Sequence, residues 1–335
     1  MRSLRIASSF SLRRLILLLV LSGTLFLSAA LAQRFAGKPA STGDDCPLTS
    51  PELLPNDDRG GYDPQSISVG ASSTSAPERT QMSIAPALVL SPGRTLLDAR
   101  KRFETAARKG YAPAQVNLAV LYLYGCGVPR NYGAAVYWLK SAADQGSSRA
   151  HTNLGILYLQ GRGVRQDFAE ALRHFRMAAK EGDPGAMVNL GYMSDSGLGT
   201  LVDHAAAAEW YRQAAERGDP LAQNNLADLY LRGEGLPPDD MLAFSWFEKA
   251  AASGNTGARI KLGYMYATGR ATHKDPEAAY AWILAASLAG DQRGLEYLPP
   301  LESQLSPAQL QQAKRRAKEL QSTGELPVTE LAFVR

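Results

Sequence analysis

The chain has 335 residues, with 36 Lys plus Arg, 32 Asp plus Glu and a formal net charge of +4. Its Gly and Pro contents exclude collagen-like and wholly disordered classes, and two cysteines exclude a disulfide scaffold or a four-cysteine zinc site. The basic excess is confined to Arg2, Arg5, Arg13 and Arg14. The remaining chain balances 32 bases against 32 acids, which removes the basic field that nucleic-acid or anionic-membrane binding requires.

The first predicted element is an address. Arg13 and Arg14 precede an apolar stretch from Leu15 to Leu27, and Ala30-Leu31-Ala32 follows. A positive start, a short apolar run and a small-x-small site predict a secretory signal peptide over residues 1–32, cut after Ala32. Ser22, Gly23 and Thr24 interrupt the run, which makes it short for a membrane span. An uncleaved anchor and a mitochondrial presequence are the alternatives. The uniformly apolar Leu15–Leu21 favours export, because presequences are amphipathic. Residues 33–92 are rich in Pro, Ser, Thr, Gly and Asp and predict a disordered linker.

From residue 93 the chain repeats. Glycines recur every 36 residues at 110, 146, 182, 218, 254 and 290, and again at 125, 161, 197, 233 and 269. A third series, 127, 163, 199 and 235, lapses at Ala271. Trp138, Trp210, Trp246 and Trp282 share one register, with His174 in the remaining place. A fixed period of this length marks a solenoid. The predicted units are 110–145, 146–181, 182–217, 218–253 and 254–289, which complete an array over 93–289.

Each unit reads as two helices. Ala114, Leu118 and Leu121 and their equivalents follow i, i+4, i+7 on the first helix. Ala135, Trp138, Leu139 and Ala142 follow i, i+3, i+4, i+7 on the second. The repeated alanines permit close helix approach, and the tryptophans are expected to fill the core between them. Asn131, Asp167, Asp203, Asp239 and Asp275 stand where second helices begin. Ser147, Asp183, Asp219, Asn255 and Asp291 stand where first helices begin. All are expected N-caps. Pro184 and Pro220 suit the first helical position. A lone second helix opens the array near residues 94–109. Residues 290–321 form a C-terminal cap whose amphipathic part is Ser306–Gln321, and 322–335 form a tail. The predicted class is all-α: an α/α solenoid of about five 36-residue helix-loop-helix repeats, with an N-terminal half-repeat and a C-terminal capping helix.

The segment Ala150-His151-Thr152-Asn153-Leu154-Gly155, with Tyr158, Gly161-Arg162-Gly163-Val164, Asp167 and Ala178-Ala179-Lys180-Glu181-Gly182, resembles a Sel1-like repeat. The resemblance recurs in all five units. Tetratricopeptide repeats are the near relative, but they run to 34 residues and lack the Gly-x-Gly loop. Lys261 in place of the recurrent Asn, Ser194 in place of the Tyr, and Ala271 in the fifth loop are the departures. The resemblance implies a superhelix that holds partner proteins, and exported bacterial members resemble adaptors in envelope signalling or host interaction.

With Ala114 placed at 0° and about 100° per residue, positions 116, 120, 123 and 124 fall at roughly 180–280°, away from the packing stripe. These positions vary between units, and by resemblance they line the concave side. The expected partner contacts are Val120, Tyr124, Ile156, Gln160, Tyr192, Asp195, Asp228, Arg232, Tyr264 and Thr268, since aromatic and Arg side chains dominate interface hot spots. The alternative for the aliphatic members is packing against a neighbouring unit.

Catalysis finds little support in the sequence. The four histidines fall at different repeat positions, no His-Glu-x-x-His occurs, and no Ser has Lys three residues on. The Gly-x-Gly loops follow helices and are read as loop closures rather than phosphate cradles. No metal, cofactor or catalytic residue is expected. Cys46, in the linker, and Cys126, in the first loop, can pair in an oxidising compartment; independent thiols or a bond between chains are the alternatives. The expected function is an exported, periplasmic or secreted scaffold for protein partners, such as a membrane sensor or envelope complex. A cell-wall or β-lactam-related hydrolase and a structural tether are the other classes considered.

Overall fold

The computed structural model describes residues 96–323, so the leader, the linker, Cys46 and the tail beyond 323 lie outside the described residues. Thirteen α-helices and one 3-10 turn follow one another, with no strand among the described residues. The opening half-repeat is α1 (Leu96–Arg108). The five units are the pairs α2 (Ala112–Tyr124) and α3 (Tyr132–Ala143), α4 (Ser148–Gln160) and α5 (Phe168–Lys180), α6 (Pro184–Ser196) and α7 (His204–Glu216), α8 (Pro220–Arg232) and α9 (Asp240–Ala252), and α10 (Thr256–Thr268) and α11 (Pro276–Leu288). A 3-10 turn (Gln292–Tyr297), α12 (Leu298–Glu302) and α13 (Pro307–Thr323) close the array. Each helix from α1 to α11 packs against its chain neighbours, and α13 folds back onto α11.

Local chemistry sets the boundaries. The side chains of Asn131, Asp167, Asp203, Asp239 and Asp275 each accept a backbone N–H two or three residues on, as N-caps do. Ser147, Asp183, Asp219 and Asn255 do the same for α4, α6, α8 and α10. Only α2 among the first helices begins without a side-chain cap, at Tyr111. Each first helix ends on a left-handed glycine whose N–H bonds back to the carbonyl four residues earlier.

The core lies one residue beyond the tryptophan register. Leu139, Phe175, Tyr211, Phe247 and Ile283 are at most 3% exposed. Three of them press on the glycine of the Leu-Gly motif: a Cβ on Gly155 would stand 2.6 Å from the Phe175 ring, on Gly191 2.6 Å from the Tyr211 ring, and on Gly263 2.4 Å from the Ile283 side chain. A large residue on the second helix therefore requires a small one on the first, as dense packing demands. The expectation that the tryptophans fill the core is corrected here. Trp138, Trp210 and Trp246 are half-buried, because their register flanks rather than faces the first helix. Trp210 lines a shallow cleft with Arg176, Ala179, Lys180 and Gln213. Trp282 is the buried exception, at 4% exposure, and shares a cluster with Ala313, Ala317 and Leu320 of the cap.

Neighbouring units are stitched in two places. Gln115 and Gln223, on first helices, donate to Ala107 O and Ala215 O of the preceding second helix at 3.2 Å, and Arg259 Nε donates to Ala251 O at 3.4 Å. The second glycine of the second, third and fourth loops also rests on the start of the previous unit's second helix. A Cβ on Gly163 would lie 2.7 Å from the Tyr132 carbonyl carbon, and one on Gly235 would lie 2.2 Å from that of His204. Ala271 occupies the same place in the fifth loop at φ 61°, left-handed without being glycine.

Two opposite effects are expected. Gly235→Ala forces backbone apart and strains a left-handed residue, and should cost more than about 2 kcal/mol. Ala271→Gly relieves left-handed strain and should add about 0.5–1 kcal/mol. Thermal melts of the two variants check both signs.

Candidate partner-binding face

The variable positions occupy one face of the first helices, and the structure divides them by unit. Val120 is 4% exposed and Ile156 fully buried. Ile156 and Leu159 share an apolar cluster with Val188 and Leu190 of the next first helix. For these aliphatic members the contact expectation is corrected: they are packing residues, since an aliphatic chain gains more from a neighbouring helix than from water. Tyr124 and Gln160 are half-buried. Burial raises the pKa of the Tyr124 hydroxyl, with Arg162 opposing. The Gln160 side-chain oxygen is buried without a hydrogen bond.

In the later units the same positions are more open. Tyr192, Asp195, Asp228 and Tyr264 are half-buried, and Arg232 and Thr268 are exposed. Most are already engaged within the array. Lys261 Nζ donates to Asp228 Oδ1 at 2.9 Å across a unit boundary, which accounts for Lys in place of the recurrent Asn. Thr268 Oγ1 donates back to Tyr264 O at 2.9 Å. The Tyr264 side chain hydrogen-bonds Arg270, whose Nε donates to Asp240 Oδ2 at 2.7 Å. Asp195 Oδ1 lies 2.7 Å from His204 Nδ1, and Arg232 forms an ion pair with Glu234.

Three expected residues converge on one point. Burial above all pushes the Tyr211 hydroxyl above its ordinary pKa, Asp195 and Tyr192 push it the same way, and Arg232 and a hydrogen bond to Asn225 oppose them. Tyr192, Asp195 and Arg232, which come from two units, thus all bear electrostatically on the same buried phenol. Val120, Tyr124, Ile156 and Gln160 belong to the first two units, and Tyr264 and Thr268 to the fifth. Cys126 is fully buried in the first loop, and its expected partner Cys46 lies outside the described residues.

Two features were not anticipated. His151 and His174 meet in the second unit with their Nδ1 atoms 2.9 Å apart, both buried, and Tyr158 stacks on His174 at 5.5 Å between ring centroids. Burial first, then Arg173 and His151, depresses the His174 pKa to about 4, and burial with Arg173 lowers that of His151. The available signal was a pair of histidines, one where other units carry Gln, Met or Arg and one where they carry Trp. The second feature is a group of Asp195, His204 and Glu234, whose ligand-type atoms lie within 4.8 Å of one another. Its members come from a helix end, a helix start and the next unit's loop, so no single motif displays it. No helix among the described residues is long and apolar enough to cross a membrane.

Stacked α/α hairpins with constant packing stripes and one variable face define a solenoid of the protein-interaction scaffold type. The Sel1 repeat family model matches residues 112–147, 148–183, 184–219, 220–255 and 257–291. The chain belongs to the Sel1 repeat family. It is similar to a Sel1 repeat protein from Oxalobacter formigenes, at 36% identity and TM-score 0.57, over 62% of this chain and 61% of that one. It is also similar to a protective antigen present in uropathogenic Escherichia coli strains that displays an SLR fold, at 32% identity and TM-score 0.57, over 68% of this chain and 50% of that one. The chain thus spans less than two thirds of either relative. Among curated proteins none matches it.

Proposed function

We propose that this chain is an exported adaptor that holds partner proteins against the variable face of its first helices and so regulates envelope signalling. The observation that carries the reading is the contrast within that face. Its aliphatic members in the first two units are buried, whereas Tyr192, Asp195, Asp228, Arg232 and Tyr264 keep polar or aromatic surface accessible in the last three. Packing prescribes the alanine and leucine stripes but leaves these positions free to match a ligand. Aromatic and Arg groups beside carboxylates suit a partner segment with both apolar and charged side chains. The pattern of residues 1–32 supports export, and fractionation with N-terminal sequencing that finds Gln33 first in an exported form tests it.

The double variant Asp228→Ala, Arg232→Ala is the direct test of the face. The ion pairs it removes are partly exposed and connect to Lys261 and Glu234. Melting should therefore shift by no more than about 1 kcal/mol. Capture of crosslinked envelope partners should be lost. A large fall in melting temperature with partner capture intact would assign these residues to packing instead.

A further inference from the structure

We propose that the joint between the third and fourth units binds a divalent first-row transition metal through Asp195, His204 and Glu234, although no metal was expected from the sequence. Asp195 lies in the last turn of α6, His204 opens α7, and Glu234 stands between Gly233 and Gly235 in the following loop. One ligand-type atom from each lies within 4.8 Å of the other two. The seating of Gly235 against the His204 backbone fixes this convergence, because a Cβ there would meet the His204 carbonyl carbon at 2.2 Å.

The other joints of the array serve as internal controls. At the first, Arg162 lies 5.8 Å above the Tyr132 ring. At the second, Phe168 and Leu198 join one apolar cluster with Leu159. At the fourth, Arg270 donates to Asp240 at 2.7 Å and to Leu231 O at 2.8 Å. Each of those joints is closed by complementary groups: a cation on a ring, two apolar side chains, or an ion pair. The third instead brings two carboxylates onto one imidazole. Arg232 is the cation beside it, paired with Glu234. An additional positive charge would complete the joint. The three side chains are 25%, 35% and 37% exposed, so an ion from the medium can reach them.

One imidazole nitrogen with two carboxylate oxygens is a borderline N/O donor set, suited to Zn2+ and its neighbours rather than to Ca2+. Three protein ligands leave a position for water or for a partner's side chain. Bound there, the ion would tie the third unit to the fourth at the edge of the proposed partner face. Arg232 competes with the ion for Glu234.

Titration of the untagged full chain with Zn2+, by calorimetry and by thermal melting, tests the assignment. The expected result is one equivalent bound with a rise in melting temperature, as linkage requires. His204→Ala and Glu234→Gln should each weaken binding at least tenfold, while Arg232→Ala should tighten it severalfold. His273→Ala, at an exposed histidine outside the joint, should change nothing. All four substitutions lie at partly or well exposed positions, and circular dichroism confirms that the variants fold. Uptake of Zn2+ that is insensitive to His204 and Glu234, or weakened by Arg232→Ala, would overturn the site. Absence of uptake would overturn it as well.

Discussion

Truncation of Phe247 to Ala is expected to cost about 3–5 kcal/mol, the range for a fully buried aromatic. Truncation of its neighbour Trp246 is expected to cost roughly 1–2 kcal/mol. The two residues are adjacent in sequence and similar in kind, so the difference isolates position on the helix. Phe247 is fully buried among Ala227, Ala243, Ala250 and Leu262. Trp246 is half-buried and carries Lys249 Nζ 4.0 Å from its ring centroid, a contact open to solvent. Denaturant unfolding of both variants provides the measurement. Because each unit is stabilised by its neighbours, the Phe247 loss should lower the stability of the flanking units too. Equal losses at the two positions would show that the tryptophan register carries core energy after all.

Stability should also fall as pH drops from about 6.5 towards 4, through His151 and His174. Burial and Arg173 disfavour a second positive charge in this pocket, and the folded-state pKa of His174 is about 4. An unfolded histidine takes up its proton near 6.5. Between those values the unfolded chain binds more protons than the folded one, so stability increases with pH across the window and is intact above it. The His174 side chain is 7% exposed, so the effect is little screened. Its size is on the order of 3 kcal/mol, since each tenfold loss of proton affinity on folding is worth about 1.4 kcal/mol. His174→Trp restores the residue that the other four units carry at this register. Melting curves from pH 4 to 7 should be flatter for that variant than for the natural chain. Parallel curves would show that carboxylate titration elsewhere dominates the acid response.

The helix boundaries were legible because they depend on contacts between near neighbours in the chain. A cap bonds to an N–H two or three residues away, and a left-handed glycine needs only its own φ. Asp203, Asp239 and Gly197 could therefore be placed from the 36-residue spacing alone. The same spacing identified the opening half-repeat, and an amphipathic pattern identified the closing helix, whose Ala313, Ala317 and Leu320 are buried in the last core cluster.

The candidate face was legible only in outline. A helical wheel says that position 120 points away from the packing stripe, but not whether a neighbouring unit covers it. Ile156 is covered, whereas its equivalents Tyr192 and Asp228 keep accessible surface. Periodicity also could not choose between Trp246 and Phe247 as the core residue, since both suit an apolar stripe and one turn spans only 3.6 residues.

The amino-acid order by itself determined the number of hairpins, their length and their capped ends, because those follow from backbone satisfaction within a few residues. Only the tertiary structure decided which face each unit buries and which side chains meet across joints. Asp195, His204 and Glu234 are scattered over two units, and His151 lies 23 residues from His174. Such meetings depend on how the two helices of a hairpin pack and on how one hairpin settles on the next, which close contacts such as Gly191 against the Tyr211 ring and Gly235 against the His204 backbone fix.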